Sequence, residues 1–276
     1  QIQIEVKGAE VSVNKDGSLT LKTPLGDVQE DAPLVYQNNK LLNTKWILNR
    51  NILSFEIENY NPNFELIIDP ITRLWGTYYG SSVMDIGYSC ATDALKNVFL
   101  AGTSVGSTGT IIATVGSHQT TIGGSADAFL VKFNANGIRI WGTYYGGNAN
   151  EQETHCCTDL SGNVYLTGAT NSSGSVIATS GCHQNTPGGN IDAFLVKFDS
   201  FGVRQWGTFY GEFSNEYGRS CCTDASGNVF LAGQTAYHSG TVTVIATPGS
   251  HQTLHGGSDD AFLVKFNSSG VRQWGT

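Results

Sequence analysis

Two sets of side chains that could bind a metal ion recur at regular intervals along this chain of 276 residues. The carboxylates are Asp85, Glu151 and Glu216, and the imidazoles are His118, His183 and His251. Carboxylates and imidazoles are common ligands of zinc, and carboxylates are common ligands of calcium. If both sets lie on one rim of the folded chain, they form a candidate metal or ligand site.

A structural role for the same six residues is the alternative. A feature that recurs in every unit usually stabilises each unit, with the polar side chain bonded to backbone groups of its own loop. The acidic residues also lack the dense Asp and Gly spacing of a calcium-binding loop. We therefore favour the structural role, expect no metal or cofactor, and keep the six residues as weak metal candidates and as a ligand-facing rim.

The six cysteines are a second chemical feature, at Cys90, Cys156, Cys157, Cys182, Cys221 and Cys222. Adjacent cysteines on a strand point to opposite faces, so Cys156 and Cys157 cannot bind one metal ion together. Equivalent cysteines of neighbouring units are expected to be too far apart for a disulfide, which needs Cα atoms within about 7 Å. We favour small buried thiols in the core.

Known catalytic patterns give no support for an enzyme. The chain contains no His-Glu-x-x-His sequence, and no phosphate-binding glycine loop precedes a helix. Paired carboxylates for glycoside cleavage cannot be chosen, because their separation in space decides the chemistry. The sequence therefore predicts no catalytic residue.

An internal repeat identifies the elements that must position these side chains. The sequence Trp-Gly-Thr-aromatic-Tyr-Gly begins at Trp75, Trp141 and Trp206, and Trp274 starts a further copy after spacings of 66, 65 and 68 residues. Each unit contains four segments typical of strands, and Gly-containing turns separate the first from the second and the third from the fourth. In the first unit these segments are 86–92, 97–102, 127–133 and 138–145.

Four antiparallel strands in each unit predict the blade of a β-propeller. The second and third strands are nearly continuous apolar runs, which indicates that both faces of the sheet are covered. Such sheets, repeated in tandem, are typical of propellers, which close with roughly four to eight blades. We expect an all-β fold with propeller repeats in 71–276, as units 75–140, 141–205 and 206–273 with a fourth from 274, preceded by a small β-domain in 1–70. We also expect these blades to belong to a larger propeller, within a longer chain or a homo-oligomer.

Residues 75–276 resemble the SBBP-type β-propeller repeat of large bacterial proteins. The resemblance is carried by Trp-Gly-Thr-Tyr-Tyr-Gly-Gly, Thr-Asp-Ala-Ser-Gly-Asn-Val-Phe-Leu-Ala-Gly, Thr-Pro-Gly-Ser-His-Gln-Thr and Asp-Ala-Phe-Leu-Val-Lys-Phe. Residues 1–70 resemble the end of the β-rich module that precedes such repeats. The resemblance implies a secreted or cell-surface protein, and it implies no particular activity, because many members have none assigned.

Composition limits the class of partner. The net charge is −8 and no basic run occurs, which disfavours nucleic acid and anionic membrane surfaces. No apolar stretch is long enough to span a bilayer.

We expect a non-enzymatic, exported structural or adhesive module with protein or surface-glycan partners. The alternatives are a carbohydrate-binding or carbohydrate-active propeller and a building block of an extracellular assembly. Reduced thiols fit poorly with export, because exported proteins usually oxidise or avoid cysteine.

Overall fold

The computed structural model describes residues 3–24, 26–31, 33–38, 40–69, 75–106, 111–174, 176–237 and 244–276. Within these ranges the chain forms strands, turns and loops and contains no helix, so none that could cross a membrane. The predicted all-β class is therefore confirmed. The chain divides into two compact units, residues 1–74 and 75–276. The domain boundary predicted at residue 70 lies outside the described residues.

The described residues of the unit 1–74 form three small antiparallel sheets. Its strands are β1 (Ile4–Glu5), β2 (Glu10–Val13), β3 (Leu19–Thr23), β4 (Gly26–Glu30), β5 (Leu34–Gln37), β6 (Lys40–Leu42), β7 (Thr44–Asn49), β8 (Ile52–Ile57) and β9 (Ile67–Asp69). The sheet orders are β1-β8-β7, β2-β3-β4 and β6-β5-β9. Leu19, Trp46 and Leu53 form its small buried core.

In the unit 75–276, the part of the chain that the structure describes forms three four-stranded antiparallel sheets, which we call blades 1, 2 and 3. Blade 1 contains β10 (Asp85–Thr92), β11 (Val98–Val105), β12 (Ala126–Phe133) and β13 (Arg139–Tyr145). Blade 2 contains β14 (Glu151–Thr158), β15 (Val164–Thr170), β16 (Asp192–Phe198) and β17 (Arg204–Tyr210). Blade 3 contains β18 (Glu216–Thr223), β19 (Val229–Ala236), β20 (Asp259–Phe266) and β21 (Arg272–Gly275). In each blade the strands pair in chain order, as the repeat predicts.

The blades pack face to face through their apolar second and third strands. Every residue of Val164–Thr170 is buried, which confirms that both faces of blade 2 are covered. One buried cluster joins side chains of blades 1 and 2, and another joins blades 2 and 3. The first strands of adjacent blades lie side by side, because Thr158 Oγ1 donates to Thr92 O and Thr223 Oγ1 donates to Thr158 O, both at 2.7 Å.

Each repeated tryptophan packs against the hairpin between the third and fourth strands of the blade that follows it in the chain. Trp141 Nε1–H donates to Ser200 O at 3.2 Å, in the hairpin between β16 and β17. Gly202 in that hairpin has φ +83° and lies against the indole, where an added Cβ would come within 2.9 Å of the ring. The same contact joins Trp75 to Gly137 and Trp206 to Gly270. The indole and the glycine together set the distance between blades.

Replacing Gly202 by Ala is expected to lower the free energy of unfolding by about 2–4 kcal/mol, because backbone strain adds to the clash with Trp141. Gly181 is the matched control, since its φ is +80° and a Cβ there would meet nothing within 4 Å. Gly181→Ala carries only the backbone strain and should cost about 1–2 kcal/mol. Urea unfolding of both variants measures the difference. Equal losses would show that the indole contact contributes nothing.

Candidate functional site

Glu151 belongs to a buried carboxylate pair at the junction of blades 1 and 2. Glu151 and Asp127 are both fully buried and lie on either side of Gly146. A Cβ added at Gly146 would come within 2.2 Å of Glu151 Oε2 and 2.3 Å of Asp127 Cγ. Only a glycine can therefore occupy this turn between the carboxylates.

The junction of blades 2 and 3 contains a second pair of the same kind. Asp192 and Glu216 are fully buried and flank Gly211. A Cβ added at Gly211 would come within 2.0 Å of Asp192 Oδ1 and 2.6 Å of Glu216 Oε2. Each carboxylate pair thus joins the third strand of one blade to the first strand of the next.

Backbone and side-chain donors already occupy the oxygens of the first pair. Asp127 accepts hydrogen bonds from Gly123 N–H at 2.8 Å, Gly124 N–H at 3.0 Å and Gln119 Nε2 at 2.7 Å. Glu151 accepts from Gly147 N–H at 3.0 Å and from Thr170 Oγ1 at 2.5 Å. These donors are what a structural carboxylate needs when it is removed from water.

Burial changes the protonation of both pairs. Burial raises the pKa of Glu151 to about 7. The nearby charge of Asp127 acts in the same direction, and the hydrogen bonds to Glu151 act in the opposite direction. Burial likewise raises the pKa of Asp192 to about 7, with a contribution from the charge of Glu216. Burial also raises the pKa of Asp127. A proton on one member of a pair relieves the repulsion between two close carboxylates.

Asp85, the corresponding acid of blade 1, has different surroundings. Its Oδ2 accepts from Ser81 N–H at 2.5 Å and from Ser81 Oγ at 2.9 Å. Its Oδ1 and the Oγ of its cross-strand neighbour Ser104 are buried, and neither has a hydrogen-bond partner among the described residues. In blade 2 a Glu and a Thr bond to each other at these two positions. Asp85 is one methylene shorter than Glu, so the bond is not made.

The histidines lie between blades, packed against aromatic rings. His118 contacts Tyr145 of blade 1 and Phe198 of blade 2, at ring-centroid distances of 5.9 and 5.7 Å. His183 repeats the arrangement with Tyr210 and Phe266. Burial, aided by a nearby arginine, lowers the pKa of both histidines to about 4. They are therefore neutral at physiological pH, and their rings pack between adjacent blades.

The two candidate sets therefore have different contacts. The histidines pack on rings of third and fourth strands, whereas the acids bond to turns and to second strands. His251 in blade 3 is exposed and lines a cavity of about 420 Å³ with Phe262 and Leu263. Among the residues that the structure describes, no group of three or more His, Cys, Asp or Glu side chains is placed to hold a metal ion.

A groove of about 590 Å³ runs between blades 1 and 2 and was not predicted from the sequence. The loop after β11 contributes Val115, which is 96% exposed, and the β16–β17 hairpin contributes Phe201, which is 82% exposed. Ile140 and Val203 add two more exposed apolar side chains, and Arg204 adds a positive charge. An apolar surface beside a charge can bind a partner molecule.

Comparisons with known proteins support a β-rich repeat protein. Residues 1–71 match a family described as Domain of unknown function (DUF7948). An uncharacterized WD repeat-containing protein of Acanthamoeba polyphaga mimivirus is 25% identical over 176 residues. That alignment covers 54% of this chain and 12% of the relative. The tandem sheets and this relative agree on propeller-like repeats, while SBBP-type repeats and a bacterial source stay predictions.

Ser104 was not among the candidates predicted from the sequence. It lies in the pattern Gly-x-Ser-x-Gly at 102–106, which marks the nucleophile of many hydrolases. A hydrolase nucleophile is exposed on a sharp turn from a strand into a helix. Ser104 is instead fully buried within β11, an antiparallel strand. The pattern therefore does not place a nucleophile within reach of a substrate.

The cysteines occupy the first strands and one loop. All six are free thiols. Cys156 is buried, as predicted, whereas Cys90 and Cys222 are exposed and the other three are half-buried. The prediction of uniformly buried thiols is therefore wrong. β14 packs between β10 and β18, whereas Cys90 and Cys222 lie in those two flanking strands and are exposed.

Proposed function

We propose that this chain is a non-enzymatic β-propeller repeat module that binds a protein partner through the groove between blades 1 and 2. The single observation that carries the proposal is that Val115 and Phe201, both largely exposed, line the same groove. Contiguous apolar surface on a protein usually marks an interaction site. Aromatic side chains and arginine are the residues that most often dominate binding energy at such sites.

The proposed place of action is the cell surface, where the module has a structural or adhesive role. This part of the proposal is supported by the resemblance of the repeats to SBBP-type repeats. The buried carboxylates and Ser104 support a role without catalysis, because their oxygens are withdrawn from the surface. Export is tested by locating the protein in fractionated cells of its source.

Replacing Phe201 by Ser is expected to weaken binding of the labelled protein to intact cells of its source at least tenfold, because the exposed ring is lost from the groove. Phe213 offers a matched control, since it is an equally exposed phenylalanine (80%) that does not line this groove. Phe213→Ser should bind like the unaltered chain. The proposal fails if both variants bind like the unaltered chain, or if both lose binding equally.

A surface glycan is the second candidate ligand, and one observation favours it. The exposed ring of Phe201, in a groove that Arg204 also lines, could stack on a sugar face. Trp141 cannot serve in this way, because it is 6% exposed and its indole N–H is bonded to Ser200 O. Treating the cells with protease or with glycosidase before the binding measurement separates the two ligands. Loss only after glycosidase treatment would favour the glycan.

A further inference from the structure

Two cysteines meet at the junction between blades 2 and 3. Cys157 lies in β14 and Cys221 in β18, and both side chains pack against the buried cluster between these blades. The sulfur of Cys221 lies 3.9 Å from the carbonyl oxygen of Tyr165. Tyr165 is the residue that pairs with Cys157 across β14 and β15. The Cys157 thiol is the main cause of the raised pKa of the Cys221 thiol, as expected for close neighbours.

From this contact we infer that Cys157 and Cys221 form a disulfide under oxidising conditions and that the bond fastens blade 2 to blade 3. A disulfide needs Cβ atoms about 3.5–4.5 Å apart. The Cys221 sulfur already reaches the backbone of the residue that pairs with Cys157, and both side chains pack against the same cluster, so they face each other across the junction. The two residues are not equivalent in the repeat, since Cys221 corresponds to Cys156. The expectation that equivalent cysteines are too distant for a disulfide therefore does not apply to this pair.

The neighbouring cysteines have other surroundings. The Cys156 sulfur lies 3.9 Å from Ser89 O, at the junction of blades 1 and 2. Cys222 is exposed, and its side chain points away from that of Cys221 because the two are adjacent on a strand. The structure thus distinguishes one pair among the six thiols.

The reaction is an exchange with a small disulfide such as oxidised glutathione. The thiolate of one cysteine attacks the small disulfide, forming a mixed disulfide and releasing one thiolate. The second cysteine then loses its proton and attacks the mixed disulfide, releasing the second thiolate. The protein gives up two electrons and two protons, and the small disulfide becomes two thiols. The neighbouring Cys157 thiol, together with burial, raises the pKa of the Cys221 thiol, so the exchange is faster in alkaline solution.

The test incubates the 276-residue chain with oxidised glutathione at about pH 8.5, where thiolates form. Acid quenching, alkylation of remaining thiols under denaturing conditions and tryptic digestion follow. Cleavage after Arg139, Lys197, Arg219 and Lys265 places Cys157 in fragment 140–197 and Cys221 in fragment 220–265. Mass spectrometry should find these fragments joined, two hydrogen masses lighter than their sum.

Single variants identify the sulfurs involved. Cys157→Ser and Cys221→Ser should reduce the joined fragments at least tenfold, whereas Cys156→Ser and Cys222→Ser should retain them. Cys157→Ala replaces Cys157→Ser if the serine variant does not fold. Fragments that stay separate in the unaltered chain would overturn the inference. So would fragments that remain joined in Cys221→Ser or separate in Cys222→Ser.

Discussion

Replacing Lys132 by Met is expected to lower the free energy of unfolding by about 3–5 kcal/mol, because the change leaves a buried carboxylate without its partner. Lys132 Nζ lies 3.4 Å from Asp93 Oδ2, and the two side chains are only 6% and 2% exposed. The same ammonium donates to Ser200 O at 3.2 Å, in the neighbouring blade, and lies over the ring of Phe99. One side chain thus joins two hairpins across the junction of blades 1 and 2.

Blade 3 provides the matched control for this prediction. Lys265 and Asp224 occupy the equivalent positions at 3.7 Å, but their side chains are 25% and 34% exposed. Water screens such a pair, so Lys265→Met should cost less than about 1 kcal/mol. Urea unfolding of both variants gives the comparison. Similar losses in the two variants would show that burial does not set the strength of the interaction.

A double-mutant cycle separates the ion pair from the packing of the lysine stem. In an Asp93→Asn background the buried negative charge is absent, so the same Lys132→Met change should cost clearly less. Asp93 also accepts hydrogen bonds from Leu95 N–H and Asn97 N–H in its own turn, and Asn retains one carbonyl oxygen for them. An unchanged cost in the Asp93→Asn background would assign the whole effect to packing.

The strands of blades 1–3 could be predicted closely because each unit repeats the same alternation of turns and apolar runs. The third strand was predicted at 127–133 and is found at Ala126–Phe133. The role of Lys132 was harder to predict, since a lysine in a strand is typical of a sheet edge. Lys132 is not at an edge, because β12 lies between β11 and β13. Its partner Asp93 comes from a hairpin 39 residues earlier in the chain.

The candidate site could be predicted only in part, because its partners come from different blades. The repeat indicated Glu151 as a candidate. Asp127 becomes its neighbour only in the folded chain, where the turn at Gly146 connects blade 1 to blade 2. The position of His118 depends on the loop after β11, which runs beside the outer strand. There Thr114 N–H donates to Gly142 O at 2.8 Å, and Tyr144 N–H donates to Gln119 O at 3.0 Å. No local pattern specifies that path.

The stability of the chain is expected to fall as the pH rises from about 6.5 to 8, by on the order of 1–2 kcal/mol. Burial raises the pKa of Glu151 and of Asp192 to about 7, above the usual values of their unfolded forms. At a pH between the usual carboxyl pKa and about 7, Glu151 and Asp192 are protonated in the folded chain and ionised in the unfolded chain. Raising the pH through 7 removes those protons and leaves two close, buried carboxylates charged, so folding becomes less favourable.

The histidines oppose this trend at lower pH. Burial lowers the pKa of His118 and His183 to about 4, below the usual 6.5, so the unfolded chain binds more protons between these values. Their contribution to stability is complete above pH 6.5 and is lost as the pH falls toward 4. His155, whose pKa burial also lowers, acts in the same direction. The carboxyl groups lower the stability as the pH rises and the histidines raise it, so the free energy of unfolding is nearly constant between about pH 4.5 and 6.5.

Replacing either the two carboxyl groups or the two histidines should change the pH dependence of stability in opposite directions. Glu151→Gln with Asp192→Asn removes the raised carboxyl groups, so stability should rise with pH from about 4.5 to 6.5 and stay level above it. His118→Phe with His183→Phe keeps the ring contacts with Tyr145 and Tyr210 but removes the imidazoles. That variant should lose stability continuously from about pH 4.5 to 8. Urea midpoints across this range measure both curves, and parallel curves for the two double variants would refute the assignment of the protons to these groups.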